Sequence, residues 1–132
     1  MDSPDVFRGM VTGVIDGDTF KAWVDQGLGI WNRGITKAQD GLSIRLFGAN
    51  ARELEEEGGP EARDHLETLL PTWSEVQIIS HRWDKFAGRL DADVILDDGT
   101  WLVPTLMRDQ WLAGPYYGAG PKPVPPWPRT TP

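Results

Sequence analysis

Four separated segments of the chain carry side chains that could act together on a phosphate group. They are the run Asp16-Gly17-Asp18-Thr19, the single residue Arg45, residues 50–53 and residues 84–89. Carboxylates can bind a divalent cation or activate a water molecule, and the guanidinium fork matches the oxygens of a phosphate. Such chemistry requires a fold that brings all four segments to one place.

The pattern of apolar residues predicts the elements that must position these segments. Alternating or short apolar runs predict five strands, over residues 7–15, 19–24, 44–47, 75–80 and 90–96. The Asp16-Gly17-Asp18 turn joins the first two strands as a hairpin. After the third strand Gly48 permits a bend, and residues 50–53 are expected on an irregular turn, where functional residues often lie.

Two helices are predicted among and after these strands. The first begins at Pro60, ends at Pro71 and has one apolar face, formed by Ala62, Leu66, Leu69 and Leu70. The second begins at Pro104, after a brief pairing over residues 101–103, and ends at Gly114-Pro115. Residues 25–41 contain several glycines and predict a long excursion with no interpretable role.

The predicted order is hairpin, strand, helix, two strands and helix. It fits the α+β class, mainly β, as a five-stranded oligonucleotide-binding (OB-fold) barrel with a helix between strands 3 and 4 and a C-terminal helix. We expect an N-terminal extension over residues 1–8, the domain over residues 9–117 and a Pro-rich tail over residues 118–132. The tail is expected to be solvated, and the alternative is a PxxP contact with a protein partner through Pro123 and Pro126.

Composition limits the classes of function. The 132 residues are 39% hydrophobic and include seven Trp, which suits one domain with a substantial core. The formal charge of −7 disfavours a passive, charge-driven nucleic-acid binder, although a bound divalent cation would invert the local field. The chain has no cysteine, so disulfides and thiolate chemistry are excluded.

The sequence lacks the patterns typical of membrane insertion and secretion. It has no run of about 18 apolar residues, and its start lacks the basic and then apolar pattern of a signal peptide. We therefore expect a cytoplasmic protein, or a secreted one if a leader was removed. A monomer without a membrane partner is expected.

The motifs together resemble those of the staphylococcal nuclease (thermonuclease, SNase-like) family. The V-I-D-G-D-T hairpin motif is complete in residues 14–19, and the R-L-x-G-I-[DN]-[TA]-P-E motif corresponds to residues 45–53. The G-x-x-A helix start occurs as Gly59-Pro60-Glu61-Ala62, the D-K-Y-G-R loop as residues 84–89, and the late P-Y-D-G-G-x-K pattern as residues 115–122. All of them follow the family's order.

The resemblance implies a calcium-dependent nuclease with little sequence specificity. DNA is the expected substrate and RNA a second candidate, and the products would end in a 3′-phosphate. Glu53 corresponds to the general base that activates water, and Arg45 and Arg89 correspond to catalytic groups that hold the phosphate and stabilise the transition state. From the residues alone, Glu53 could instead cap its loop, and each arginine could form a surface ion pair.

The resemblance also implies a Ca²⁺ site. Asp18, Asn50 and the backbone carbonyl of Ala51 match the family's metal ligands, with Asp16 in support, and calcium accepts this mixture of hard oxygens. Taken alone, Asp18 could equally be a hairpin-turn residue. Groups that contact the terminal phosphate and the base of the substrate are matched by Lys85 and Tyr116.

Three residues depart from the family pattern. Arg52 replaces a proline and is expected to loosen the turn that aims Glu53. Asn50 carries one negative charge less than the aspartate often found there, and Ala87 lengthens the loop before Arg89. The alternative function is a catalytically weak or inactive SNase-like module that binds nucleic acid or protein.

Overall fold

The computed structural model describes residues 5–55, 57–84, 88–108 and 113–116. The protein is mainly β, with a few helices. Its strands are β1 (Val6–Asp16), β2 (Thr19–Asp25), β3 (Trp31–Asn32), β4 (Leu42–Leu46), β5 (Gly48–Ala51), β6 (Glu75–Asp84), β7 (Arg89–Ile95) and β8 (Ala113–Tyr116). Its helices are α1 (Gly59–Leu69) and α2 (Leu102–Leu106).

Five of the strands pair in an order that closes on itself. β1 pairs with β2, β2 with β4, β4 with β7, β7 with β6, and β6 again with β1. Only the β4–β7 pair among these is parallel. β3 adds to the far part of β2, and β5 pairs with β8 in a separate two-stranded sheet. Each strand of the closed set therefore has one face toward a shared interior.

Alternate residues of the strands fill this interior. Phe20 and Ala22 of β2 and Ile44 of β4 are fully buried, whereas the intervening Lys21 and Ser43 are only partly buried. Successive side chains of a strand point to opposite faces, so this burial pattern separates a core face from an outer face. Arg45 of β4 lies between the core residues Ile44 and Leu46 and therefore belongs to the outer face.

Helix α1 confirms the sequence prediction. It contains Pro60 in its first turn, where the missing N–H costs no hydrogen bond. Ala62, Leu66 and Leu70 are each no more than 1% exposed. The N–H of Leu70 donates to the carbonyl of Leu66 (2.9 Å), and Pro71 then ends the helix. The buried face packs on β1 and joins the helix to the closed sheet.

Three strand boundaries differ from the predicted ones. β1 begins at Val6, one residue before the predicted strand, and residues 6–10 pair with β6. β6 continues to Asp84, beyond the predicted strand end at residue 80, because its second half pairs with β7. Residues 48–51 form β5 rather than part of an irregular turn, because their partner β8 comes from a distant part of the chain.

The prediction for the second helix is wrong in its start and length. α2 begins at Leu102 and ends at Leu106, and residues 113–116, which were expected at the helix end, form β8. Apolar spacing cannot distinguish these outcomes when pairing with a remote strand decides the local structure. Lys85, Ala87 and the tail over residues 118–132 lie outside the described residues.

The excursion over residues 25–41 contains β3 and folds back on β2. The N–H of Gly41 donates to the carbonyl of Arg33 (2.9 Å), and Lys21 Nζ forms an ion pair with Asp40 (2.8 Å). No helix in the described part of the chain combines the length and apolarity needed to cross a membrane.

Candidate active site

The turn between β1 and β2 lies close against β5 and α1 because Gly17 has no side chain. A Cβ atom at Gly17 would lie 2.5 Å from Cβ of Ala51 and 2.8 Å from Cβ of Ala62. Both alanines are buried. Gly17, Ala51 and Ala62 are therefore small where the turn, β5 and α1 pack against one another.

Asp18 connects this turn to β4 and β5. It is 8% exposed. Its Oδ1 accepts the hydroxyl hydrogen of Thr19 (3.0 Å), and its Oδ2 accepts the N–H of Ala51 (2.9 Å). Its carbonyl accepts the N–H of Leu46 (2.9 Å). These bonds hold the carboxylate in one orientation beside the ends of β4 and β5.

Arg45 organises the passage from β4 to β5. Its Nη1 donates to the carbonyls of Leu46 (2.9 Å) and Ala49 (2.7 Å). Its Nη2 donates to Oδ1 of Asn50 (3.2 Å) and lies 3.7 Å from Oδ2 of Asp18. A guanidinium has five N–H groups, so Nε–H and one Nη2–H form no hydrogen bond within the described part of the chain. The side chain is 11% exposed, and its first role is to order the site.

Asn50 and Ala51 lie on β5, opposite Gly114 and Ala113 of β8. Both are 4% exposed. In this conformation Oδ1 of Asn50 faces Arg45, so the amide supports the guanidinium.

The carboxylates of Asp16, Asp18 and Glu53 lie near one another. Oδ1 of Asp16 accepts the N–H of Asp18 (3.2 Å). The pKa of Asp16 is raised to about 6, and burial is the largest cause. The charge of Asp18, a hydrogen bond with the Asp18 side chain and the charge of Glu53 raise the pKa further. Glu53 itself is exposed. A cation placed among these carboxylates would relieve their repulsion.

The possible metal ligands at this site suit a cation that needs only a few carboxylates. The described ranges contain no group of three or more His, Cys, Asp or Glu residues that could by itself hold a metal ion. Calcium, however, accepts backbone carbonyls and water in addition to carboxylates. Asp18 and the Ala51 carbonyl can contribute in this way, with Asp16 beside them, whereas Asn50 is engaged with Arg45.

The loop that carries Glu53 is held at two points. Arg52 is 4% exposed, and its Nη1 donates to the carbonyl of Glu57 (3.0 Å). At the start of α1, a Cβ atom on Gly59 would lie 1.9 Å from the carbonyl oxygen of Glu53. Contrary to the expectation from sequence, Arg52 ties the loop together. No local pattern in a polar loop identifies a buried arginine, so sequence reasoning missed this role.

Arg89 lies beside the site on the neighbouring strand. In the parallel β4–β7 pair, Arg89 lies opposite Ser43, and Asp91 lies opposite Arg45. Because residues two apart on a strand share a face, Arg89 lies on the same face of the sheet as Arg45. Its Nε is buried and has no hydrogen-bond partner among the described residues. Tyr116 ends β8 opposite Gly48, which places its backbone at the start of β5.

No protein-family model matches this chain, and no curated protein matches it. Membership of the nuclease family therefore stays a prediction that rests on the motifs quoted above.

Proposed function

We propose that the protein is a calcium-dependent nuclease that hydrolyses DNA, with RNA as a second candidate substrate, and with little sequence specificity. The observation that carries this proposal is that Arg45 lies 3.7 Å from Asp18, next to Asp16, whose carboxyl is near enough to Glu53 to feel its charge. Phosphodiester hydrolysis needs an activated water and neutralisation of the charge that grows on the phosphate oxygens. Carboxylates beside a guanidinium can supply both.

The strand order supports an OB-fold barrel as the scaffold. The closed order β1-β2-β4-β7-β6 contains five strands, and α1 is inserted between the third and fourth of them in the chain. An OB-fold barrel closes five strands in this manner and leaves one face open for a nucleic acid. The outer face of β2, β4 and β7 is the matching surface here.

In the proposed reaction, the carboxylate of Glu53 accepts a proton from water as the water oxygen attacks phosphorus. The bond from phosphorus to the 5′ oxygen breaks, the 5′ oxygen takes a proton from solvent and leaves as a 5′-hydroxyl, and the phosphate stays on the 3′ oxygen of the other product. Arg89 and the two remaining N–H groups of Arg45 donate to the phosphate oxygens, and the family resemblance assigns Lys85 and Tyr116 to the terminal phosphate and the base. A bound calcium ion, held by Asp18 and the Ala51 carbonyl, would add positive charge beside the phosphate.

A second candidate function is a nucleic-acid or protein-binding module without turnover. The observation that favours it is the engagement of Arg45 by three internal acceptors, which leaves few donors for a phosphate. The same contacts hold the Asn50 amide away from a metal-binding role.

One experiment separates the two functions. Purified wild type, Glu53→Gln and Glu55→Gln are incubated with single-stranded DNA in calcium and in EDTA. Glu55 is the matched control because it is exposed in the same loop. Glu53→Gln should lower the cleavage rate by about 10²–10⁴-fold, as expected for loss of a general base, and Glu55→Gln should cleave like wild type. Lack of cleavage by wild type in calcium would reject the nuclease, and undiminished cleavage in EDTA would reject the metal requirement.

A further inference from the structure

A second set of interacting side chains lies on the outer face of β2, at a distance from the carboxylates. Trp23 and Trp73 make an edge-to-face contact, with ring centroids 5.0 Å apart and planes at 71°. The guanidinium carbon of Arg33 lies over the Trp23 ring, 4.4 Å from its centroid. We refer to Trp23, Trp73 and Arg33 as the tryptophan platform.

The platform is fixed in place and yet exposed. The Nε1–H of Trp23 donates to the carbonyl of Gln39 (2.7 Å), and the N–H of Trp73 donates to the carbonyl of Val11 (2.6 Å). Trp73 has a left-handed backbone with φ of 69° and is still 56% exposed. A bulky residue in this conformation is strained, and core packing does not explain a ring that remains in solvent. This combination points to a ligand for the ring.

The platform also carries positive charge that is not neutralised. Within the described ranges, the side chains of Arg33 and of Lys37 on the same loop form no ion pair, whereas Lys21 is paired with Asp40. A guanidinium stacked on an indole keeps its N–H edges available for phosphate oxygens. The chemistry of the platform therefore suits a ligand with flat aromatic groups and negative charge.

The platform is continuous with the proposed active site along β2. The outward-facing residues of this strand are, in order, Thr19, Lys21 and Trp23. Thr19 bonds to Asp18 and opposes Arg45 across the β2–β4 pair. Trp23 is four residues further along, which corresponds to roughly 13 Å at about 3.3 Å per residue. A flexible strand with one phosphate beside Arg45 can therefore extend to the platform.

We propose that the tryptophan platform stacks bases of a single-stranded nucleic acid whose scissile phosphate lies at the carboxylates. The proposal rests on the proposed nuclease function for the position of that phosphate. Indole faces accept any base, so stacking adds affinity without sequence specificity. Bases in a duplex are not available for stacking on protein, so the platform should favour single strands over duplexes.

The test compares a dinucleotide of thymidine, whose one phosphate lies next to both of its bases and therefore cannot join the two sites, with an oligothymidylate of about twelve nucleotides. Their dissociation constants are measured by fluorescence anisotropy in EDTA for wild type, Trp73→Ala, Trp73→Phe and Trp101→Ala. Trp101 is the matched control because it is 48% exposed. Trp73→Ala should weaken binding of the long oligonucleotide roughly fivefold to hundredfold, Trp73→Phe should retain most of it, and Trp101→Ala should not change it. Dinucleotide binding should be the same in all four proteins.

Arg33→Gln tests the contribution of charge. The slope of log K against log salt for the long oligonucleotide should fall by about 0.7, the value for one phosphate contact on a single strand. Heparin, a polyanion without bases, should bind equally to wild type and Trp73→Ala.

The outcomes separate the platform from the nuclease. Equal affinities of Trp73→Ala and wild type for the long oligonucleotide would overturn the platform. A loss of heparin affinity in Trp73→Ala as large as its loss of oligonucleotide affinity would overturn it too. Binding that depends on Trp73 without cleavage in calcium would support the platform and reject the nuclease. Cleavage by a protein whose binding does not depend on Trp73 would do the reverse.

Discussion

Replacing Asp16 by Asn should stabilise the protein at neutral pH while leaving its geometry intact. The carboxyl of Asp16 is partly buried and lies near the charges of Asp18 and Glu53, and its pKa is raised from 3.8 to about 6. Asn keeps an Oδ1 atom that can accept the N–H of Asp18, as Asp16 does at 3.2 Å. The substitution therefore removes one charge and little else.

The sign and size of the effect follow from the pKa. Because the native state favours the protonated form of Asp16, stability from this group is fully present below about pH 4. This contribution is lost as the pH rises to about 6, and above that value the loss is complete and does not change further. Each pH unit between the two pKa values corresponds to about 1.4 kcal/mol, which gives an upper limit of about 3 kcal/mol. Solvent around the partly exposed carboxyl reduces this to about 1–2 kcal/mol.

The assay is urea unfolding of wild type and Asp16→Asn in EDTA, from about pH 4 to about pH 8. The gain of the variant should be near zero at the acidic end and should reach its full value above about pH 6. The pKa of Asp40 is lowered by Lys21 and Thr36, and that of Asp98 by Thr100. The stability that these two carboxyl groups contribute falls as the pH falls. Both groups are present in wild type and in the variant, so their contribution cancels in the difference between the two proteins.

Asp97→Asn is the matched control, since Asp97 is exposed on a turn, and it should change the unfolding free energy by less than about 0.5 kcal/mol. A gain for Asp16→Asn that does not vary with pH would refute the reasoning, because repulsion among ionised carboxylates requires ionisation. Lower stability of the variant at every pH would refute it too. Added calcium should reduce the gain, since a bound cation offsets the same repulsion.

Three further substitutions test the packing of the site. Gly17→Ala should destabilise the protein by about 1–3 kcal/mol in urea unfolding, because its Cβ would overlap Ala51, whereas Gly13→Ala meets no atom within 4 Å and should be nearly neutral. Arg52→Met should cost about 1–3 kcal/mol and slow DNA cleavage about tenfold or more, because the carbonyl of Glu57 loses its donor. The exposed Arg63→Met is its control, and equal cleavage rates would contradict the positioning role. Arg45→Lys should cost about 2–4 kcal/mol in urea unfolding, because an ammonium cannot reproduce the guanidinium fork; an unchanged unfolding midpoint would contradict this.

The hairpin and helix α1 were predictable because their signals are local. The turn at Asp16-Gly17-Asp18 lies between two alternating runs, and the apolar positions of α1 follow helical spacing up to Pro71. Each element buries one face that its own sequence makes apolar. No distant part of the chain is needed to explain the hairpin turn or the bounds of α1, whereas the start of β1 depends on its pairing with β6.

β5 and α2 show why other parts could not be predicted. Residues 48–51 are a strand because β8 pairs with them, and nothing within those four residues identifies that partner. Helix α2 is shorter than predicted for the same reason, since residues 113–116 belong to β8. A pairing between distant segments depends on the closed fold, which local propensity does not contain.

By itself, the sequence determined which chemical groups are present and their order along the chain. Its motifs identified Asp18, Arg45 and Glu53 as candidates for phosphate chemistry. Only the tertiary structure decided what each group contacts. It directed Arg45 toward the carbonyls of Leu46 and Ala49, and it buried Arg52 within the loop that carries Glu53. The physical reason is that burial and hydrogen-bond partners are properties of segments that meet in space, and the closed order of strands determines which segments meet.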